Sequence, residues 1–165
     1  MKKLTHLLVF ATLLACNKDP EPEKEETPKK IYFTGITESN DVGIIARRDT
    51  TDWRFNDTWV EQEAKLFPTA GEASCTQAHN HNIFAFPNPN KGLIKLNITK
   101  LQATQVQIRL VDKEFKVILS RDSIPNGINI FDLTASAPKD TLRLYYKFID
   151  GSCVYKGHGD ILVNE

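Results

Sequence analysis

From Ile83 onward the apolar residues return at every second position. Ile94, Leu96 and Ile98 share one face of a strand, Val106, Ile108 and Leu110 a second, and Ile128 and Ile130 a third. Leu142, Leu144, Tyr146 and Phe148 form a fourth and longer run. Period two is the repeat of a β-strand with one buried and one wet face, and it does not fit the 3.6-residue repeat of a helix. Shorter runs occur at "KVILS", "CVYK" and "DILV", and the turn-forming stretches "NPNKG", "VDKE", "PNG" and "IDGS" punctuate the series. Strands so closely spaced predict an antiparallel β-sandwich, its inner faces packed together and its outer faces solvated. Asp150-Gly151 predicts a tight hairpin of type I′, which needs positive φ at both central residues. Pro87 and Pro89 each remove a backbone donor and bias the preceding residue to an extended form. "PNP" is therefore expected to end one strand and cross to the next.

Residues 31–82 read differently from the sandwich at 83–165. "IYFTGI" and "VGIIA" predict two strands by their β-branched and aromatic content. Thr58 and Glu61 make a capping box, Val60, Ala64 and Phe67 an apolar stripe at i, i+4 and i+7, and Pro68 a stop. One short helix over Thr58–Phe67 follows. Trp53 and Trp59, the only two tryptophans, flank its start and are expected in the core, although an exposed pair could bind a glycan or a protein. Residues 31–165 together have the size of one ordinary domain, enough to bury a core without metal or disulfide.

The chain opens "MKKLTHLLVFATLLAC": two lysines, then an apolar run from Leu4 to Ala15. Twelve residues in a helix cover about 18 Å, well short of the ~30 Å of a bilayer's hydrocarbon core, so a permanent span is not expected. The layout is that of a secretory signal. With Leu13, Leu14 and Ala15 before Cys16, it resembles a bacterial lipoprotein signal. The resemblance implies cleavage after residue 15 and acylation of the Cys16 thiol, with palmitate-type chains anchoring the protein to a membrane. A single chain binds only marginally, whereas the two or three of bacterial lipoproteins give lasting attachment. Residues 16–30 follow as a linker, "NKDPEPEKEETPKK" after the cysteine, with three prolines, nine charges and nothing to bury. Its early acidic residues resemble the surface-export signal of Bacteroidetes lipoproteins, and a plain spacer explains them equally well.

"FPNPNKGLIKLNI" (Phe86–Ile98), "VQIRLVDKEFKVIL" and "NGINIFDL" resemble the immunoglobulin-like module at the C-termini of many Bacteroidetes secreted proteins, among them the type IX secretion sorting domain. The resemblance implies an immunoglobulin-like β-sandwich and, as an alternative role, sorting by type IX secretion. The whole pattern, from "DTWVEQEAKLF" to "YKGHGD", is similar to small Bacteroidetes lipoproteins, and that likeness implies no activity.

Composition narrows the function further. Basic and acidic residues number 21 each, and losing Lys2 and Lys3 with the signal leaves 19 − 21 = −2. That balance has no electrostatic footprint for nucleic acid. Of the three cysteines, Cys75 and Cys153 remain after Cys16, an even number in a compartment that permits disulfides. They lie in "CTQAHNHN" and "CVYKGHGD", so Cys75, His79, His81, Cys153, His158 and Asp160 also offer zinc-type ligands, though their spacing matches no tight zinc signature. A disulfide, a metal site and two free thiols all stay open at this level. The sequence has no G-x-S-x-G elbow, no phosphate-binding glycine loop and no H-E-x-x-H, so no catalytic residue and no cofactor is expected. The sequence therefore points to a non-catalytic structural or binding module on a cell-envelope lipoprotein of the outer membrane, with metal binding as the alternative.

Overall fold

The computed structural model describes residues 30–55, 58–67, 73–75 and 77–164. The expected signal, Cys16, the linker before residue 30 and the Pro68 stop lie outside these residues. Among the described residues, ten strands and one helical turn occur in the order β1 (Glu38–Ser39), β2 (Ile45–Arg47), α1 (Glu61–Ala64), β3 (Ala73–Ser74), β4 (Asn82–Phe86), β5 (Leu93–Thr99), β6 (Gln105–Val111), β7 (Val117–Arg121), β8 (Gly127–Asp132), β9 (Thr141–Asp150) and β10 (Cys153–Leu162). The chain is mainly β, as the alternation predicts.

A three-stranded sheet, β4-β5-β8, packs on a five-stranded sheet, β3-β10-β9-β6-β7, and β1-β2 form a separate pair. All pairings are antiparallel except the short β3-β10 contact at Cys153 and Val154. This is the immunoglobulin-like antiparallel β-sandwich expected as the fold class, with β3 from the N-terminal residues added to its larger sheet. Ile94, Leu96 and Ile98 of one sheet meet Val106, Ile108, Leu110, Leu142, Leu144, Tyr146 and Phe148 of the other in a single core. Each fully buried aliphatic side chain there contributes about 1.5–3 kcal/mol.

The larger sheet is covered on both faces. On its outer face Val111 and Tyr145 are buried with Ile31 and Phe67, against Phe33, Trp59, Leu66 and Phe115. The N-terminal residues therefore form a third layer on the sandwich. Trp53 and Phe55 turn to the other side and pack on the main core, so both tryptophans serve packing, as expected.

Several expectations are corrected. "IYFTGI" is not a strand; Ile31 and Phe33 lie across the large sheet and contribute side chains to its outer layer. "VGIIA" supplies only the short β2 (Ile45–Arg47). The helix is one turn, and its N-cap is Val60 instead of Thr58. The Glu63 carboxylate accepts the Val60 N–H at 2.8 Å, and the Glu63 side chain also accepts the Tyr145 hydroxyl at 2.8 Å. Val60 and Ala64 are exposed, because Phe67 and Leu66, outside the helical turn, make the contact with the sheet. The last hairpin turns at Gly151 and Ser152, between paired Asp150 and Cys153. Only Gly151 has positive φ (61°) there, the requirement of a II′-type turn with glycine first. "CVYK" and "DILV" are two ends of one strand, β10, which runs straight through "GHG".

The largest reversal is β8. Its alternation is real, but Ile128 and Ile130 are 61% and 64% exposed, while Asn129 and Phe131 turn toward the sandwich.

Candidate functional site

The expected ligand cluster separates into two places. Cys75 and Cys153 are joined in a disulfide with Cα atoms 5.2 Å apart. Both sulfurs are thereby withdrawn from metal ligation. The bond closes a loop with a sequence separation of 78, for which chain entropy gives roughly 4 kcal/mol. His79 and His81 stack at 5.1 Å between ring centroids, among Phe55, Phe148 and Tyr155. His79 Nδ1 accepts the His81 N–H at 3.2 Å, a bond that requires a neutral His79 ring with its proton on Nε2. Burial lowers the pKa of both rings, and for His81 the neighbouring His79 lowers it further. Neutral imidazoles here fill an aromatic cluster.

His158 and Asp160 lie further along β10, where Asp52 joins them. Donor atoms of these three residues come within 4.8 Å of one another. This place is organised by a need of the sheet itself. β3 covers the edge of β10 only at Cys153 and Val154, and the remaining edge must find partners for its backbone groups.

Those partners form a substitute strand assembled from distant residues. The Trp53 N–H donates to the His158 carbonyl at 2.7 Å. The Asp160 N–H donates to Asp52 Oδ1 at 3.1 Å. Asn88 Nδ2 donates to the Asp160 carbonyl at 2.9 Å, and Asn88 Oδ1 accepts the Leu162 N–H at 2.9 Å. The Asn90 N–H completes the row on the Leu162 carbonyl. On their far side the same two side chains grip the backbone of one residue: Asp52 Oδ2 accepts the Thr37 N–H and Asn88 Nδ2 donates to the Thr37 carbonyl, both at 2.8 Å. Asn88 is wholly buried and Asp52 is 4% exposed. Two carbonyls on one side and an N–H on the other leave only one orientation for the Asn88 amide.

The local sequence serves this arrangement. Pro87 and Pro89 deny donors on either side of Asn88, so the "PNP" crossing is architectural as expected, with its asparagine sealing the β10 edge. Trp53 has φ of 58°, left-handed backbone that a bulky residue adopts at a cost. The turn lets Trp53 stack on Tyr146, planes 3° apart.

Electrostatics make the cluster self-contained. Arg143 Nε and Nη2 each donate to Asp160 at 2.7 Å, a bidentate pair. Burial opposes the Arg143 charge, and the bonds and charge of Asp160 outweigh it, so its pKa is raised. Burial, and then the nearby Asp160, push Asp52 up to about 6, against the pull of its two N–H donors. A cation at this place would have to compete with the guanidinium already held on Asp160 and with the N–H groups held on Asp52. The geometry suits a clamp better than a metal centre.

The raised Asp52 pKa has a defined consequence for stability. The folded state holds the Asp52 proton more tightly than the unfolded chain, whose pKa is the ordinary 3.8. This contribution is fully present below 3.8 and is lost as pH rises through about 6. It amounts to at most about 3 kcal/mol. In Asp52→Asn the slope disappears. Urea unfolding between about pH 4 and 7 should show the wild type's advantage over the variant shrinking as pH rises. A gap that stays constant or widens would contradict the assignment.

No family model, curated protein or solved structure matches the chain. The site is therefore read from its own chemistry.

A second feature stands outside the clamp. The outer face of the small sheet exposes Leu93, Ile128 and Ile130, with Val42 and Ile44 exposed on the β1-β2 hairpin. Lys95 lies on that face and donates to the Asp41 carbonyl at 3.0 Å, and Gly43 approaches Phe84 and Phe86 closely. The hairpin thus covers the β4 side of the face and leaves the β8 side open. Sequence reasoning missed Asp52, Asn88 and Arg143. The one signal that could have found Asn88 is its place between two prolines.

Proposed function

We propose that this protein is a cell-envelope lipoprotein, held on the outer membrane through acylated Cys16, that displays a non-catalytic β-sandwich as a structural or binding module. The observation that carries the reading is the seam at residue 16: a short apolar run behind two lysines, a lipobox-like Leu13-Leu14-Ala15, and a charged, proline-rich stretch beyond. A spacer of that charged, proline-rich composition would hold the sandwich off the membrane. The buried clamp and the disulfide suit a durable extracytoplasmic module, since every polar side-chain atom of Asp52, Asn88 and Asp160 has a partner within the chain. The open apolar face supports contact with a protein, because soluble surfaces seldom gather several large aliphatic side chains without use. Among the described residues no helix is long and apolar enough to cross a membrane.

The anchor is tested by detergent phase partitioning of the full chain expressed in a bacterial host. The wild type should enter the detergent phase and incorporate labelled palmitate. Cys16→Ala should lose the label and move to the aqueous phase. Equal partitioning of the two forms would refute lipid anchoring.

A further inference from the structure

The open side of the small sheet carries more information than an exposed apolar patch. β8 is paired with β5 on one side and with no strand on the other among the described residues. The Leu133 N–H donates to the Gly92 carbonyl, and the β5-β8 register continues from that pair through Leu93–Asp132 to Ile98–Gly127. In an antiparallel ladder the hydrogen-bonded pairs alternate. The backbone groups of Gly127, Asn129 and Phe131 therefore turn toward β5, and those of Ile128, Ile130 and Asp132 turn to the open edge. The two most exposed aliphatic side chains of the sandwich thus sit on the very residues whose N–H and C=O groups lack a strand. From Gly127 to Phe131 the edge has neither charge nor proline, the devices by which edge strands are usually blunted.

The geometry points to a second copy of this chain, paired antiparallel along β8 about a two-fold axis at Asn129. The inference rests on reading the small sheet as a contact surface and is independent of the lipid anchor. With the axis there, Ile128 faces Ile130 of the second copy, and by symmetry Ile130 faces its Ile128. Each of these is a hydrogen-bonded pair, because both residues turn their backbone groups outward. The isoleucines then form one apolar stripe across the joined sheets, next to Leu93. On the inner side Gly127 faces Phe131 of the second copy. A Cβ at Gly127 would meet nothing within 4 Å, so the glycine leaves open space beside the second copy's partly buried Phe131, which packs on its own core. Asp132 comes opposite Asn126, polar against polar.

Neighbouring registers fit worse. An axis at Ile130 sets Ile128 against Asp132, and an axis at Ile128 sets Ile130 against Asn126. An axis between residues sets an inward-facing side chain against an outward-facing one and would require the second sheet to be inverted. The interface is small beside that of a permanent dimer, so covalent capture is the suitable readout.

The experiment uses the full chain in detergent with Asn129→Cys, oxidised mildly and read on a non-reducing gel. A cysteine at the central, non-hydrogen-bonded pair faces its own copy across about 4.5 Å between Cα atoms, and a covalent dimer is expected. Adding Ile130→Lys should abolish the dimer, whereas Ile44→Lys on the exposed hairpin should leave it. Both lysines replace exposed residues, and matching circular dichroism and unfolding curves verify that the fold is kept. In the wild type the amides of Ile128 and Ile130 should exchange more slowly as protein concentration rises. Absence of the dimer in Asn129→Cys, or a dimer indifferent to Ile130→Lys, would overturn the proposal. So would cross-linking in membranes to a different protein alone, which would identify a foreign strand on this edge. Failure of the anchor would instead appear in the Cys16→Ala partitioning, with the β8 cross-link intact.

Discussion

Asn88→Ala is expected to lower the unfolding free energy by about 3–5 kcal/mol, a large share of what a domain of this size commands. The side chain satisfies the Thr37 carbonyl, the Asp160 carbonyl and the Leu162 N–H at once. Each buried group left without a partner costs about 1–3 kcal/mol. Water entering the space left by the amide would recover part of this, which sets the upper figure below the sum. Asn88→Asp is the sharper version, because it keeps the shape and changes only the donors. A carboxylate would turn an oxygen toward two carbonyls, where the amide offered N–H groups. It should destabilise at least as much as alanine despite its size. Denaturant unfolding at neutral pH measures both variants. A loss below about 1 kcal/mol in either would mean that the β10 edge does not depend on this residue.

Gly157→Ala should be comparably damaging for a different reason. A Cβ on Gly157 would lie 1.6 Å from the Arg54 carbonyl oxygen and 2.8 Å from the Tyr146 hydroxyl. That hydroxyl itself donates to the Arg54 carbonyl at 2.6 Å. The obstacle is backbone, so a rotamer change cannot relieve it, and segment 52–55 must withdraw from the sandwich. A loss of about 3 kcal/mol or more is expected, at the upper end for added volume in a packed interior. Gly151→Ala is the control. Its added Cβ meets nothing within 4 Å, and its only difficulty is a φ of 61°, for which about 1–2 kcal/mol is the usual cost. If the two variants unfolded alike, close approach of Arg54 to β10 would not be the reason for glycine at 157.

β5, β6 and β9 were legible in the sequence because each strand's apolar residues repeat with the pleat and point to one core. Ile94 through Ile98, Val106 through Leu110 and Leu142 through Phe148 all lie where the alternation places them. That rule is local: it needs only the geometry of one extended chain. It cannot say which of two faces is buried when both are partly apolar. In β8 the choice went against Ile128 and Ile130, because pairing with β5 turns Asn129 opposite Leu96 and Phe131 opposite Ile94, both on the core side. β10 was obscured from the other direction. "KGHGD" has the look of a turn, yet its glycines are strand residues kept small by Arg54 and Trp53 lying over them.

The cysteines show the same division. Their even number and the export-type start made a bond one of three possibilities, and only the parallel contact of β3 with β10 brings their Cα atoms to 5.2 Å. The clamp was the least visible feature. Asp52 and Asn88 are 36 positions apart in the numbering, and nothing in either neighbourhood states a need for the other. That need arises when β10 becomes the edge of a sheet. Backbone N–H and C=O groups are present at every residue, so a sequence does not mark which will be left without a strand; only the assembled sheet does, and buried side chains must then complete it.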